Sequence, residues 1–133
     1  MQLIRRQNVV IRQTVIDDTG GGGTRTVANT SNFNANLKLG FIPDIVTIKL
    51  IVAKSTAAVA TVINSVYVSE LNNYIGSFYD VSTVTPNATF DLAGVPLDSW
   101  NFILRDTDEK LNTLFTGQFA IHMEFLKYNP KSL

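Results

Sequence analysis

The stretch that decides the fold is Gly117–Tyr128, which reads GQFAIHMEFLKY. Four of its odd-numbered residues are apolar and share one face of an extended chain, namely Phe119, Ile121, Met123 and Phe125. Its even-numbered residues share the opposite face and are mostly polar, namely Gln118, Ala120, His122 and Glu124. Alternation with a period of two is typical of a β-strand that buries one face. We therefore predict a strand here with the first set of side chains in the core.

Seven further runs have strand character, and turn residues separate them. They are Asn8–Ile16, Asn32–Leu39, Ile45–Ala53, Val62–Leu71, Tyr74–Val81, Ala88–Leu92 and Trp100–Arg105. In the run that begins at Ile45, the residues expected to face inward are Val46, Ile48, Leu50 and Val52. The one helix candidate is Thr107–Phe115, because Asp106 and Glu109 resemble a capping box ahead of an apolar stripe.

About eight short strands in a chain of 133 residues fit a single domain, residues 1–133, with residues 1–7 as a candidate N-terminal arm. Short antiparallel strands form either a sandwich of two sheets or a closed barrel. The connections are uneven, as in Ser82–Asn87 and Ala93–Ser99, and this favours a sandwich. We predict an all-β, antiparallel, eight-stranded jelly-roll (Greek-key) sandwich with at most one short helix.

Composition limits the partners of the chain. Charged residues make up 17% of it, against a usual share of about 25%, so we expect some apolar surface to be covered by a partner. Eleven basic and eleven acidic residues cancel, which argues against direct nucleic-acid recognition. No apolar run reaches the roughly 20 residues of a membrane span. The N-terminus does not have the pattern of a signal peptide, so we expect synthesis in the cytosol.

No constellation of residues indicates catalysis. The chain has no cysteine and one histidine, and His122 with Glu124 falls short of the three or four ligands of a metal site. The acidic segment Asp106–Glu109 lacks the spacing of a calcium loop. Gly20–Gly23 is not followed by the Lys-Ser/Thr of a phosphate-binding loop. We therefore expect no enzyme activity, metal, cofactor or small-molecule substrate.

Three segments carry a resemblance to a known family. They are Gly40–Ile48 (GFIPDIVTI), Tyr74–Phe78 (YIGSF) and Thr116–Tyr128 (TGQFAIHMEFLKY). Together they are similar to the single jelly-roll penton and minor capsid proteins of icosahedral double-stranded DNA viruses with vertical jelly-roll capsid proteins. The similarity lies in the general sequence pattern and the strand order, and it extends from about Asn32 onward.

This resemblance implies a structural virion protein, a penton or minor capsid protein located in the capsid. Its partners would be copies of itself, with a pentamer favoured and a trimer as the alternative, and neighbouring capsid proteins. The alternative function is a glycan- or receptor-binding module of a viral fibre or spike. A glycan platform would gather aromatic side chains, whereas these fall in separate strands: Tyr67, Tyr74, Tyr79 and Trp100.

Six residues are candidates for the subunit interface. Four of them fall where alternation assigns the side chain away from the core, and two are arginines of the N-terminal segment. They are Ile51, Ile103, Leu126, Tyr128, Arg5 and Arg6.

Overall fold

A computed structural model of the chain describes residues 2–16, 28–56, 63–112 and 115–129. The described part contains nine strands and one helical turn. In chain order they are β1 (Gln2–Val15), α1 (Ala28–Ser31), β2 (Asn32–Asn36), β3 (Ile45–Ser55), β4 (Ile63–Val68), β5 (Asn73–Tyr79), β6 (Val81–Val84), β7 (Ala88–Asp91), β8 (Ser99–Arg105) and β9 (Gly117–Asn129). No helix within these ranges has the length and apolar character needed to cross a membrane.

The strands form two antiparallel sheets. The five-stranded sheet has the order β1-β9-β3-β6, with β7 also paired to β3, and the four-stranded sheet has the order β2-β8-β4-β5. The chain therefore changes sheet after β1, β2, β3, β5, β7 and β8. Such crossings are typical of the Greek-key connections of a jelly-roll. The predicted all-β jelly-roll sandwich is confirmed.

Two predicted elements differ in the structure. The run Tyr74–Val81 divides between the sheets, because β5 ends at Tyr79 and β6 begins at Val81, which gives nine strands. The helix predicted over Thr107–Phe115 is absent where the chain is described. Instead, the Asp106 carboxylate accepts bonds from the backbone amides of Asp108 and Lys110 and closes a turn. Residues 113–114 lie outside the described residues.

The core lies between the two sheets. The four apolar residues predicted to be buried in β9 have exposed fractions of 3% or less, and Phe125 is fully buried. Aromatic side chains of both sheets meet there: the ring centroid of Trp100 is 5.6 Å from that of Phe125, and the same distance separates Phe78 from Phe119. The Trp100 indole N–H donates to the carbonyl oxygen of Pro96 at 2.8 Å, so its polar atom is satisfied inside the core.

A register shift reverses part of β3. The pairing of β3 with β9 shifts between Ile48 and Leu50, which changes the faces that the following residues occupy. Ile51 is fully buried in the core, whereas Val52 is 37% exposed. Leu50 pairs with His122, whose side chain points outward. The predictions that Ile51 faces outward and that Leu50 and Val52 face inward are therefore wrong.

Residues 2–7 are part of β1 and do not form a separate arm. They pair with the end of β9, from Gln2 opposite Asn129 to Gln7 opposite Phe125. The Gln7 side chain also bridges to the other side of the sandwich, since it donates to the Lys38 carbonyl oxygen at 3.1 Å and accepts from the Gly40 amide at 2.9 Å. The N-terminal segment is thus integrated into the fold.

Candidate subunit interface

The six candidate interface residues do not form one surface. Ile51 is in the core, and Leu126 is only 7% exposed between Arg6 and Ile45 of the neighbouring strands. Ile103 is half-buried on the outer side of the four-stranded sheet, where Tyr67 is its partner in register.

The remaining three candidates lie around the pairing of β1 with β9. Tyr128 is half-buried and its backbone amide donates to the Asp44 carboxylate at 2.8 Å. Arg5 and Arg6 are exposed: the Arg5 guanidinium lies 4.8 Å from the ring centroid of Phe41, and Arg6 pairs with Glu124 at 3.3 Å. Their participation in an interface stays a prediction.

The exposed apolar side chains are concentrated elsewhere. Eight large apolar residues are exposed in the described part of the chain, and six of them lie on the five-stranded sheet or directly after β1. These six are Leu3, Ile4, Val10, Ile16, Val52 and Val81, and the other two are Ile42 and Tyr79. Exposed apolar side chains that gather in one region are typical of an interaction surface, and three of these six, Val10, Val52 and Val81, share one side of the sheet.

Strand register places several of these residues on one surface, which we call the outer face. It consists of outward-pointing residues of β1, β9, β3 and β6, with Lys49 at the β3 register shift: Val10, Arg12, Lys49, Leu50, Val52, Lys54, Val81, Gln118, Ala120 and His122. Val10 lies opposite His122, which lies opposite Leu50. In the next row Ala120 lies between Arg12 and Val52.

The outer face contains a shallow depression of about 640 Å³. Its floor includes Ala120, whose small side chain leaves space between the neighbouring strands. Arg12 and Lys54 line the depression from opposite sides, and Gln118 adds an amide group. The site therefore offers cationic and neutral hydrogen-bond donors above an apolar floor.

The charges of the outer face are mostly positive. Arg12, Lys49 and Lys54 are exposed, and Lys49 lies with Leu50 and His122 beside a second depression. Glu124, the acidic residue of β9, is engaged by Arg6. The apolar groups of this surface thus lie among cations without an equal number of carboxylates.

The outer side of the four-stranded sheet is polar and largely satisfied by its own contacts. The Asn101 side chain donates to the side-chain oxygens of Asn32 and Asn34 and accepts from Ser69 at 2.8 Å. The Asn101 backbone amide donates to the Glu70 carboxylate at 2.7 Å. These groups are already paired within the chain, so this surface offers fewer free groups to a partner.

Two of the four aromatic residues expected to be scattered are in fact neighbours. Tyr67 and Tyr74 face each other because β4 pairs with β5, and their ring centroids are 5.3 Å apart in an edge-on arrangement. The Arg105 guanidinium covers the Tyr67 ring at 4.7 Å. Trp100 is fully buried and Tyr79 is half exposed. Tyr67 and Tyr74 are therefore engaged by contacts within the chain, Trp100 is in the core, and these four residues do not form an open aromatic platform.

The buried polar side chains form hydrogen bonds with one another inside the fold. Asn64, Asp80 and Asn112 lie at one end of the sandwich, each with an exposed fraction of 1% or less, and are joined by side-chain hydrogen bonds. Across the residues that the structure describes, no group of three or more His, Cys, Asp and Glu side chains could hold a metal ion.

Comparison with known proteins gives a structural likeness. No protein-family model matches the chain. No curated protein matches it either. Among solved structures, the chain is similar to the NLP core of Drosophila, whose structure is described as giving insight into pentamer formation and histone binding. The identity is 13%, the TM-score is 0.49, and the match covers 94% of this chain and all of the other.

The prediction of a viral shell protein is contradicted by this comparison. The similar structure is described in terms of pentamer formation and histone binding and not of a viral shell. The viral resemblance, the penton or minor capsid function, the viral fibre alternative and the virion location are therefore corrected. No evidence supports neighbouring capsid proteins as partners. The error has a physical reason: a jelly-roll strand order is shared by proteins of unrelated function, so strand order alone identifies the fold and not the role.

Proposed function

We propose that this chain is a non-catalytic structural subunit that assembles with copies of itself through the outer face. The observation that supports this proposal is the position of Val10, Val52 and Val81 on one sheet surface, with exposed fractions of 38%, 37% and 61%. Covering apolar surface lowers the free energy by about 25 cal/mol per Å². The same surface lies on paired strands of one sheet, which hold it in one shape before a partner binds.

The absence of enzyme activity is part of the proposal. The two depressions of the outer face are shallow and open, and apolar side chains and exposed cations line them. The polar residues that are deeply buried, Asn64 and Asn112 among them, contact one another and the backbone and do not open into a cleft. Such an arrangement supports a scaffold role better than a catalytic one.

The number of subunits is the finer part of the proposal. Contacts between two different surfaces of a subunit close into rings when the rotation allows it, and we propose a ring with five subunits as the number to be tested. The Drosophila NLP core is itself described as a pentamer. The proposal for this chain rests on its own surface.

The test is the mass of the purified chain in solution, measured by size-exclusion chromatography with light scattering over a range of concentrations. We expect a mass five times the 14.7 kDa of one chain. The double variant V10D/V52D places two carboxylates on the outer face and should be monomeric. The control is Ile42→Asp, because Ile42 is 73% exposed but does not lie on that face.

Circular dichroism and thermal unfolding of each variant check that the sheets are intact. A wild-type chain that stays monomeric at high concentration would overturn the proposed function. So would an oligomer that V10D/V52D leaves unchanged, because the outer face would then not be the contact surface.

A further inference from the structure

We infer that the outer face of one copy binds the acidic turn Asp106–Lys110 of the next copy, in a head-to-tail contact. This inference rests on the proposed function and names the second surface that self-assembly requires. The turn connects β8 with the segment that leads to β9 and brings its carboxylates to the surface.

The charges of the outer face argue against a contact with itself. A two-fold contact would bring the outer face of one copy, with its exposed Arg12, Lys49 and Lys54, against the equally cationic outer face of another. Like charges that meet across an interface cost several kcal/mol. The surface that covers this face should therefore carry carboxylates.

The turn Asp106–Lys110 has the required charge and a fixed shape. Asp108 and Glu109 are adjacent and exposed. The turn is held by the Asp106 carboxylate, which accepts from two backbone amides, and by the Arg105 guanidinium, which donates to the Glu109 carbonyl oxygen at 3.3 Å. Three carboxylates against Arg105 and Lys110 leave the turn negative, and its two outermost carboxylates make no hydrogen bond within the described structure.

The two surfaces lie on opposite sides of the sandwich. The turn lies beside Ser65, Tyr74 and Ser77, on the outer side of the four-stranded sheet, where these residues line a depression together with Asp106 and Glu109. The outer face belongs to the other sheet. A contact between two different sides of a subunit is head-to-tail, and such contacts close into a ring or continue as a filament.

The depression of the outer face can receive the carboxylates of the turn. Arg12 and Lys54 stand at its two sides, so Asp108 and Glu109 of the neighbour would each have a cation to pair with. A guanidinium binds a carboxylate through two parallel N–H donors, which fixes orientation as well as charge. The neighbouring Val52 and Val10 would be covered by the same contact.

The experiment uses charge reversal in the whole chain. R12E/K54E reverses the outer face, D108K/E109K reverses the turn, and the four substitutions combined in one chain restore opposite charges across the contact. We expect each double variant to raise the dissociation constant of the oligomer about tenfold or more, and the combined variant to recover most of the loss. The control is K38E/D98K, which changes exposed charges away from both surfaces.

The outcomes separate this inference from the proposed function. If the wild-type oligomer forms and both double variants keep its mass and its dissociation constant, the contact surfaces assigned here are wrong while self-assembly stands. A combined variant that is as weak as the double variants also overturns the inference, because the two charge sets would then act independently. A monomeric wild-type chain overturns both. Thermal midpoints close to that of wild type show that the exposed substitutions leave the fold intact.

Discussion

The side-chain amide of Asn112 donates a hydrogen bond to the side-chain oxygen of Asn64 at 2.6 Å, and both residues are fully buried. Asn64 donates in turn to the Asp80 carboxylate at 2.9 Å, and the Asn112 side-chain oxygen accepts from the Phe115 amide at 2.9 Å. The Ser31 hydroxyl donates to the Asn112 carbonyl oxygen. One buried network therefore connects α1, β4 and the segments that follow β5 and β8.

Removing the centre of this network should weaken the whole fold. Asn112→Ala leaves the side-chain oxygen of Asn64 and the Phe115 amide without their partner in a place that water does not reach. We expect the free energy of unfolding to fall by about 1–3 kcal/mol, measured by urea denaturation. The matched control is Asn36→Ala, at an exposed position of β2. Equal and small effects of both substitutions would contradict a structural role for the network.

Gly117 should not tolerate a side chain. Its φ is +141°, and an added Cβ would clash with the Lys54 carbonyl oxygen, so Gly117→Ala must disturb the pairing of β3 with β9. Gly94 also has a positive φ, +75°, but nothing lies within 4 Å of its Cβ position. We expect Gly94→Ala to cost about 1–2 kcal/mol and Gly117→Ala clearly more, as measured by thermal unfolding. The reverse order would show that the close approach is relieved at no cost.

Phe125 should be a large contributor to the core. Its side chain is fully buried and its ring centroid lies 5.6 Å from that of Trp100, so truncation leaves a cavity between the two sheets. Phe125→Ala should lower the free energy of unfolding by about 3–5 kcal/mol. Tyr79→Ala is the control for loss of an aromatic ring, since Tyr79 is half exposed. An unchanged thermal midpoint for Phe125→Ala would mean that this residue is not in the core.

The Gln7 side chain should protect the amide of Gly40 from hydrogen exchange. That amide donates to the Gln7 side-chain oxygen at 2.9 Å, across the side of the sandwich where β1 lies. In Gln7→Ala we expect faster exchange at Gly40, measured by NMR, with Asn8→Ala as the exposed neighbouring control. Equal rates in wild type and Gln7→Ala would indicate that residues 2–7 are not held against the sandwich in solution.

Self-association should weaken as salt is added. The contact that we infer joins Arg12 and Lys54 to carboxylates at the surface, and the screening length falls from about 10 Å at 0.1 M salt to about 3 Å at 1 M. The dissociation constant of the oligomer should therefore be higher in 1 M sodium chloride than in 0.1 M, as measured by light scattering over a dilution series. A contact held by the apolar residues alone would show the opposite trend or none, because high salt does not weaken apolar burial.

The sequence predicts the sheets better than it predicts their registers. Alternation in β9 is strict, and its inward residues are those that the structure buries. In β3 the same logic fails after Ile48, because one register shift exchanges the faces of Ile51 and Val52, and no local signal marks the shift. The capping pattern of Asp106 and Glu109 is equally misleading, since the Asp106 carboxylate closes a turn in which Glu109 has a positive φ of 62°.

The candidate interface depends on the same information. Val10 and Val52 are 42 residues apart in number, and only the order β1-β9-β3 places them on one surface. A low share of charged residues indicated that apolar surface would remain, but it could not say where. Leu126 shows that an outward position does not ensure exposure. Alternation in β9 places its side chain outward, but it lies between Arg6 and Ile45 and is only 7% exposed.

The two edges of the five-stranded sheet differ in kind. One edge is β1, a strand of 14 residues without proline. The opposite edge is broken between β6 and β7, at residues 85–87. There Pro86 has no amide hydrogen to donate, and Asn87 has a positive φ of 49°. Among the residues that the structure describes, the first edge offers a continuous template to a strand from another molecule, and the second does not. Pairing of this sheet through its edges would therefore end at two chains and would not continue into a fibre.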